Sequence, residues 1–118
     1  MIEINIETLQ AGAGTTSINA ISLTGEIDAT NAAEIQQRVM PLSAPGCKLL
    51  LDMTKVAYMS SAGLRMLLSL YRQTSAKQGR IVLVGLSDEL QDTMSMTGFL
   101  GYFTVLDSLE SGIQSLVS

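Results

Sequence analysis

The chain has 118 residues, enough for one domain with one core, and its 47% apolar against 15% charged residues reverse the balance of a disordered chain. Seven basic and 11 acidic side chains leave a net charge of -4, which argues against nucleic acid and anionic membrane as partners, since both require a basic face. There is no histidine, which removes His-based triads, Cys–His pairs and most zinc sites.

Ile2, Ile4 and Ile6 alternate with polar residues and predict a half-buried strand. Ala11 to Gly14 reads as a turn, and Thr16 to Leu23 as a hairpin partner ended by Gly25 to Asp28. Gly12 and Gly14 precede a strand, so they are not a dinucleotide loop, which must open a helix. A helix is expected from about Ala29, with Ala32, Ile35 and Val39 on one face, stopping at Met40 before Pro41. Cys47 cannot form an internal disulfide and reads as a small buried hydrophobe.

Leu49 to Met53 is too apolar to alternate and predicts a central strand buried on both faces. Leu64, Leu67, Leu68 and Tyr71 have helical spacing, giving a helix to about Lys77 that Gly79 terminates. Cys47 and Leu49 to Leu51 are expected to lie buried beside that helix. Arg80 to Val84 is the next strand. Ser87 caps a further helix, with Gly98 after it and Met94 and Met96 filling the core. Phe103 to Leu106 is a last short strand, and Asp107 and Glu110 have capping-box spacing before a final helix.

The unit from Leu49 to Val84 implies a parallel strand pair with a right-handed crossover. A single α/β domain over residues 1–118 follows, with a mixed sheet. The N-terminus lacks a signal peptide's basic start and greasy run, and no segment approaches the roughly 20 apolar residues of a membrane helix. A reducing cytoplasm is the expected location.

The stretch MSSAGLRMLLSLY, Met59 to Tyr71, sets two serines before the helix. A serine there is a preferred N-cap. Catalysis competes poorly: no histidine can act as base, and Lys48, Lys55 and Lys77 show no Ser–Lys motif spacing. A third use is a phosphate acceptor, because exposed amides and the positive end of the helix dipole would hold the added charge.

LLLDMTKVAYMSSAGLRMLL, Leu49 to Leu68, resembles the signature of bacterial anti-sigma factor antagonists of the STAS domain family. GEIDATNA, Gly25 to Ala32, and MTGFLGYF, Met96 to Phe103, add to the resemblance. It implies a mixed sheet of 4-5 strands with about four helices packed mainly on one side. It implies a non-enzymatic binding domain that needs no cofactor and no metal. Its partners would be an anti-sigma factor serine kinase, from which the unphosphorylated domain releases a sigma factor, and a metal-dependent serine phosphatase. Aligned on Met59 and Gly63, the phosphorylated serine is Ser61.

The family's preceding Asp is Ser60 here, and the next small hydroxyl residue is Ala62. Serine-for-aspartate versions occur in the family, so Ser61 remains the acceptor and Ser60 the second candidate. Asp28 and Thr30 match a family loop that meets the partner, although Asp28 also suits a helix cap. Arg65, four residues after Ser61, either pairs with a phosphate or is a solvated side chain. Met59 belongs either to the core or to a binding patch. Met59, Ser60, Ala62, Gly63 and Arg65 thus join Asp28 and Thr30 as candidate partner contacts. The alternative role is a STAS subunit of a lipid-transport or signalling complex, without a phosphorylation cycle.

Overall fold

The computed structural model describes residues 2–12 and 16–117. The elements run β1 Glu3–Ala11, β2 Thr16–Ile27, α1 Ala32–Val39, β3 Lys48–Met59, α2 Ser61–Ala76, β4 Arg80–Val84, α3 Asp88–Met96, β5 Thr104–Leu106 and α4 Leu109–Val117. This is the predicted order. The expected turn at Ala11 to Gly14 lies partly outside the described residues, and Ala11 itself ends β1.

The five strands lie in sequence order, β1-β2-β3-β4-β5. Among the described residues only β1 and β2 are antiparallel; the later neighbours are parallel. Consecutive parallel neighbours joined by crossovers of one hand place their helices on one face. The core follows that rule. Ile21, Leu23 and Ile27 of β2, Leu49 and Leu51 of β3, and Ile81 and Leu83 of β4 point towards α1, α2 and α3. The intervening residues Ile18, Leu50, Val82 and Val84 point the other way, where Leu116 of α4 covers them. Three helices therefore lie on one side and one on the other.

Leu49, Leu50 and Leu51 are fully buried, as a central strand requires. Two expectations nearby are corrected. Leu50 lies under α4 rather than beside α2, because successive strand residues face opposite sides. Cys47 is half-buried, standing just before the first residue of β3.

β3 also runs farther than Met53, through to Met59, because β2 continues to pair with it. Two register shifts, between Ser22 and Thr24 and between Gly25 and Glu26, break the alternation there. Val56 and Met59 are buried while Thr54, Lys55, Ala57 and Tyr58 are exposed, a period that does not announce a strand.

Four local expectations shift. α1 starts at Ala32 rather than near Ala29, and although it ends at Val39, Met40 keeps helical torsions and opens a 3-10 turn containing Pro41. The left-handed residue after α2 is Gln78, at φ 60°, not Gly79. Gly79 is required for another reason: a Cβ there would stand 2.5 Å from Cys47 Sγ and 2.7 Å from the Cys47 carbonyl oxygen. The box before α4 is made by Ser108 and Ser111, one residue beyond Asp107 and Glu110. Ser111 N–H donates to Ser108 Oγ at 3.1 Å, and Ser108 N–H donates to Ser111 Oγ at 3.3 Å. Met94 is fully buried as expected, whereas Met96 is 88% exposed on the solvent side of α3.

Candidate functional site

The candidate residues gather where β2 and β3 end. Because these strands are parallel neighbours, the loops that leave their C-terminal ends are adjacent, the usual position of binding sites in α/β sheets. A backbone bond ties the loops together: Ser60 N–H donates to the Ile27 carbonyl at 2.8 Å. The Asp28 turn is thereby set against the start of α2.

Asp28 does not cap α1. Its carboxylate accepts from Thr30 N–H at 2.9 Å and from the Thr30 hydroxyl at 2.5 Å, closing a turn on itself. These donors, the hydroxyl first and the amide second, hold the Asp28 carboxyl below the usual carboxylate range. The turn also explains the late start of α1, since residues 28–31 are bent around the carboxylate. Asn31 takes the N-cap position, but its side chain makes no cap bond. It is buried, at 8% exposure, and bridges the Asp28 N–H and the Glu26 carbonyl.

At the second loop the two serines differ. Ser60 holds the N-cap position of α2 in extended conformation, φ -79° and ψ 175°, yet its side chain makes no cap bond. Its Oγ is shielded from solvent and lacks a hydrogen-bond partner. Ser61 is the first helical residue and is exposed. The amides of Ser61, Ala62 and Gly63 precede the first intrahelical bond, from Leu64 N–H to the Ser60 carbonyl at 3.0 Å. An acceptor group at Ser61 therefore sits next to unused donors.

The remaining candidates separate into surface and support. Arg65 is exposed one turn after Ser61, and Ala62 is half-buried. Met59 is 3% exposed and belongs to the core. Gly63 is also buried, and a Cβ on it would meet Met59 Cγ at 2.5 Å and Ile27 Cγ2 at 2.8 Å. These two residues set how closely α2 approaches the strand ends beneath the exposed serine.

A shallow groove of about 300 Å³ runs beside Ser61, with Tyr58, Ser60 and Leu64 on one wall and Glu89, Leu90 and Thr93 of α3 on the other. Sequence reasoning missed this wall and the 53% exposed Tyr58, because both depend on how α3 docks. It also missed Asn31, whose only signal was a polar residue where the apolar face of α1 begins. Among the described residues no three His, Cys, Asp or Glu side chains gather as a metal site would require, and no helix is long and apolar enough to cross a membrane.

Known proteins share this fold. A family model described as the STAS domain matches residues 13–112. The anti-sigma-B factor antagonist of Bacillus subtilis is 27% identical over 94 residues, which is 80% of this chain and 86% of the relative. That of Listeria monocytogenes is 34% identical over 79 residues, 66% of this chain and 69% of the relative. Among solved structures, the anti-sigma factor antagonist SpoIIAA in its unphosphorylated form superposes with a TM-score of 0.78 at 19% identity, over 98% of this chain and 96% of that one. The Bacillus cell fate determinant SpoIIAA in its phosphorylated form gives a TM-score of 0.72 at 21% identity, over 96% of this chain and 98% of that one. A fold in sequence-ordered strands, a helix opened by paired serines and a family match over most of its length lead to one conclusion: the chain belongs to the STAS domain family.

Proposed function

We propose that the chain is a non-enzymatic anti-sigma factor antagonist whose binding is switched off by phosphorylation of Ser61. The observation that carries the reading is the contrast between two adjacent hydroxyls. Ser61 is exposed at the first position of a 16-residue helix, while Ser60 Oγ is enclosed. A kinase can reach the first and not the second without opening the loop. The relatives named anti-sigma-B factor antagonist support the class of function. SpoIIAA, known in unphosphorylated and phosphorylated forms, supports the switch.

The partner is a kinase-type anti-sigma factor, which supplies ATP and magnesium, and a metal-dependent serine phosphatase resets the site. The domain contributes the hydroxyl and the docking surface: Asp28 and Thr30 from one loop, Ser60, Ser61 and Ala62 from the other, and Arg65 one turn along. Met59 and Gly63 act from below by fixing the helix. This places the protein's work in the cytoplasm, where the transcription machinery is.

Phosphorylation brings about -1.5 to -2 charges to a domain that already carries -4. The first-turn amides and helix dipole accommodate that charge locally, so the fold survives. A partner surface shaped for a neutral hydroxyl must desolvate or repel it. A penalty of about 2 to 4 kcal/mol weakens binding roughly 30- to 1000-fold.

The test is an in vitro kinase assay with the anti-sigma factor that co-purifies with the chain, followed by phosphosite mapping and affinity measurement. Ser61→Ala should bind constitutively and resist phosphorylation, and Ser61→Asp should bind weakly with an unchanged melting temperature. Phosphate found only on Ser60, or wild-type affinity in Ser61→Asp, would refute the reading.

A further inference from the structure

The loop opposite Ser61 contains a buried side chain whose two polar ends are both engaged, and neither serves the helix that follows. Asn31 Oδ1 accepts from Asp28 N–H at 3.0 Å, and Asn31 Nδ2 donates to the Glu26 carbonyl at 2.8 Å. The backbone adds a third tie, Asn31 N–H to the Asp28 carbonyl at 3.2 Å. An Asn in N-cap position ordinarily turns its oxygen towards the amides of the first helical turn. Here that bond is absent, and the carboxamide points back to the strand and turn.

Chemistry restricts which residue can do this. The Glu26 carbonyl can only accept and the Asp28 amide can only donate, so the bridging group must hold one donor and one acceptor a fixed distance apart. A carboxamide has that form. A carboxylate lacks the donor, and an alkyl group would leave both backbone groups unpaired at an 8% exposed position.

The bridge matters because of what it carries. Asp28 and Thr30 are held by each other through exposed hydrogen bonds, a local ring that needs an anchor both to persist and to keep its direction. Its direction comes from Asn31 on one side. On the other, Ile27 accepts the Ser60 N–H at 2.8 Å. We infer that Asn31 is a positioning residue for partner recognition: its carboxamide clips the Asp28–Thr30 turn to the end of β2 and so presents that turn and Ser61 as one rigid surface. The inference rests on the partner-binding reading of this face given above.

The experiment compares Asn31→Ala and Asn31→Ser with Ser108→Ala, which removes a cap of α4 on the opposite side of the sheet. Three quantities are read at a temperature where all variants are folded. Two need no partner: amide exchange at Thr30, and the titration of the Asp28 carboxyl followed by its carboxyl-carbon NMR signal. The third is affinity for the same anti-sigma factor used above. Loss of the clip should speed Thr30 exchange about tenfold, move the Asp28 titration up towards the usual carboxylate range, and weaken binding about tenfold. Asn31→Ser, which keeps one short polar group, should fall between, and it carries the comparison if Asn31→Ala does not fold. Ser108→Ala should leave all three unchanged although it lowers the melting temperature.

Wild-type exchange and titration in both Asn31 variants would overturn the clip. A loosened turn with wild-type affinity, while Ser61→Asp still abolishes binding, would overturn the role in recognition and leave the switch standing. Wild-type affinity in the Asn31 variants and in Ser61→Asp alike would remove the partner-binding reading and this inference with it.

Discussion

Gly63→Ala sets two familiar effects against each other inside α2. Replacing a helical glycine by alanine ordinarily stabilises, by up to about 1 kcal/mol in the first turn where Gly63 stands, because the unfolded chain loses freedom and the helix gains a better former. The structure opposes that gain. The added Cβ would stand 2.5 Å from Met59 Cγ and 2.8 Å from Ile27 Cγ2, both inside the closest approach of real carbon atoms. Neither is the free end of a flexible chain. Met59 is 3% exposed, and Ile27 is fully buried, β-branched and anchored in β2. Overpacking of this kind costs about 1 to 3 kcal/mol, and two simultaneous clashes put it at the upper end. The net change should be a loss of about 2 kcal/mol, or a melting temperature lowered by about 6 to 10 °C for a chain of this size. Thermal and urea unfolding measure it directly. In a Met59→Ala background the same substitution should cost about 1 kcal/mol less, because one of the two clashing side chains is gone. A Gly63→Ala protein as stable as wild type or more so would mean that α2 does not pack against β2 and β3 this closely, and the placement of Ser61 would fall with it.

Leu50→Ala should cost about 2 to 5 kcal/mol by denaturant unfolding, and its damage should show as faster amide exchange in α4, which covers it, rather than in α2. Ser60→Ala and Ser87→Ala should differ although both replace N-cap serines. Ser87 Oγ accepts from Leu90 N–H at 3.1 Å and its loss should cost about 1 kcal/mol, whereas Ser60 Oγ makes no bond and its loss should cost less than about 0.5 kcal/mol in the same thermal assay. Thr30→Ala removes the first of the donors that depress the Asp28 carboxyl, so its titration, followed by NMR, should rise towards the usual carboxylate range. The sign follows: the wild-type turn is held by the ionised carboxylate, so it should loosen as pH falls through that depressed value, and in the variant it should loosen at a higher pH.

The periodicities in this chain were sufficient for its element order. Leu49 to Leu51 read as an interior strand because the apolar run is short and follows a Pro-Gly turn signal, and Leu64, Leu67 and Leu68 read as a helix face because they recur at i, i+3 and i+4. The family signature likewise brought Asp28, Thr30, Ser60 and Ser61 into one expected site before any coordinates, and the parallel pairing of β2 and β3 makes their loops neighbours. Where the local pattern broke, sequence reasoning stopped short. β3 beyond Met53 is a strand only because β2 supplies its hydrogen bonds across two register shifts, and a bulged pairing leaves no period of two to read.

Roles inside the site were a matter of three dimensions as well. Ser60 and Ser61 are the same residue type one position apart. Only the fold encloses one hydroxyl and leaves the other in solvent, and only the fold turns the carboxamide of Asn31 away from its helix towards the Asp28 turn. Apolar spacing is a property of a single segment, so a sequence states it outright. The direction of a small polar side chain is decided by which backbone groups from other segments arrive beside it, and those meet only when the sheet has formed.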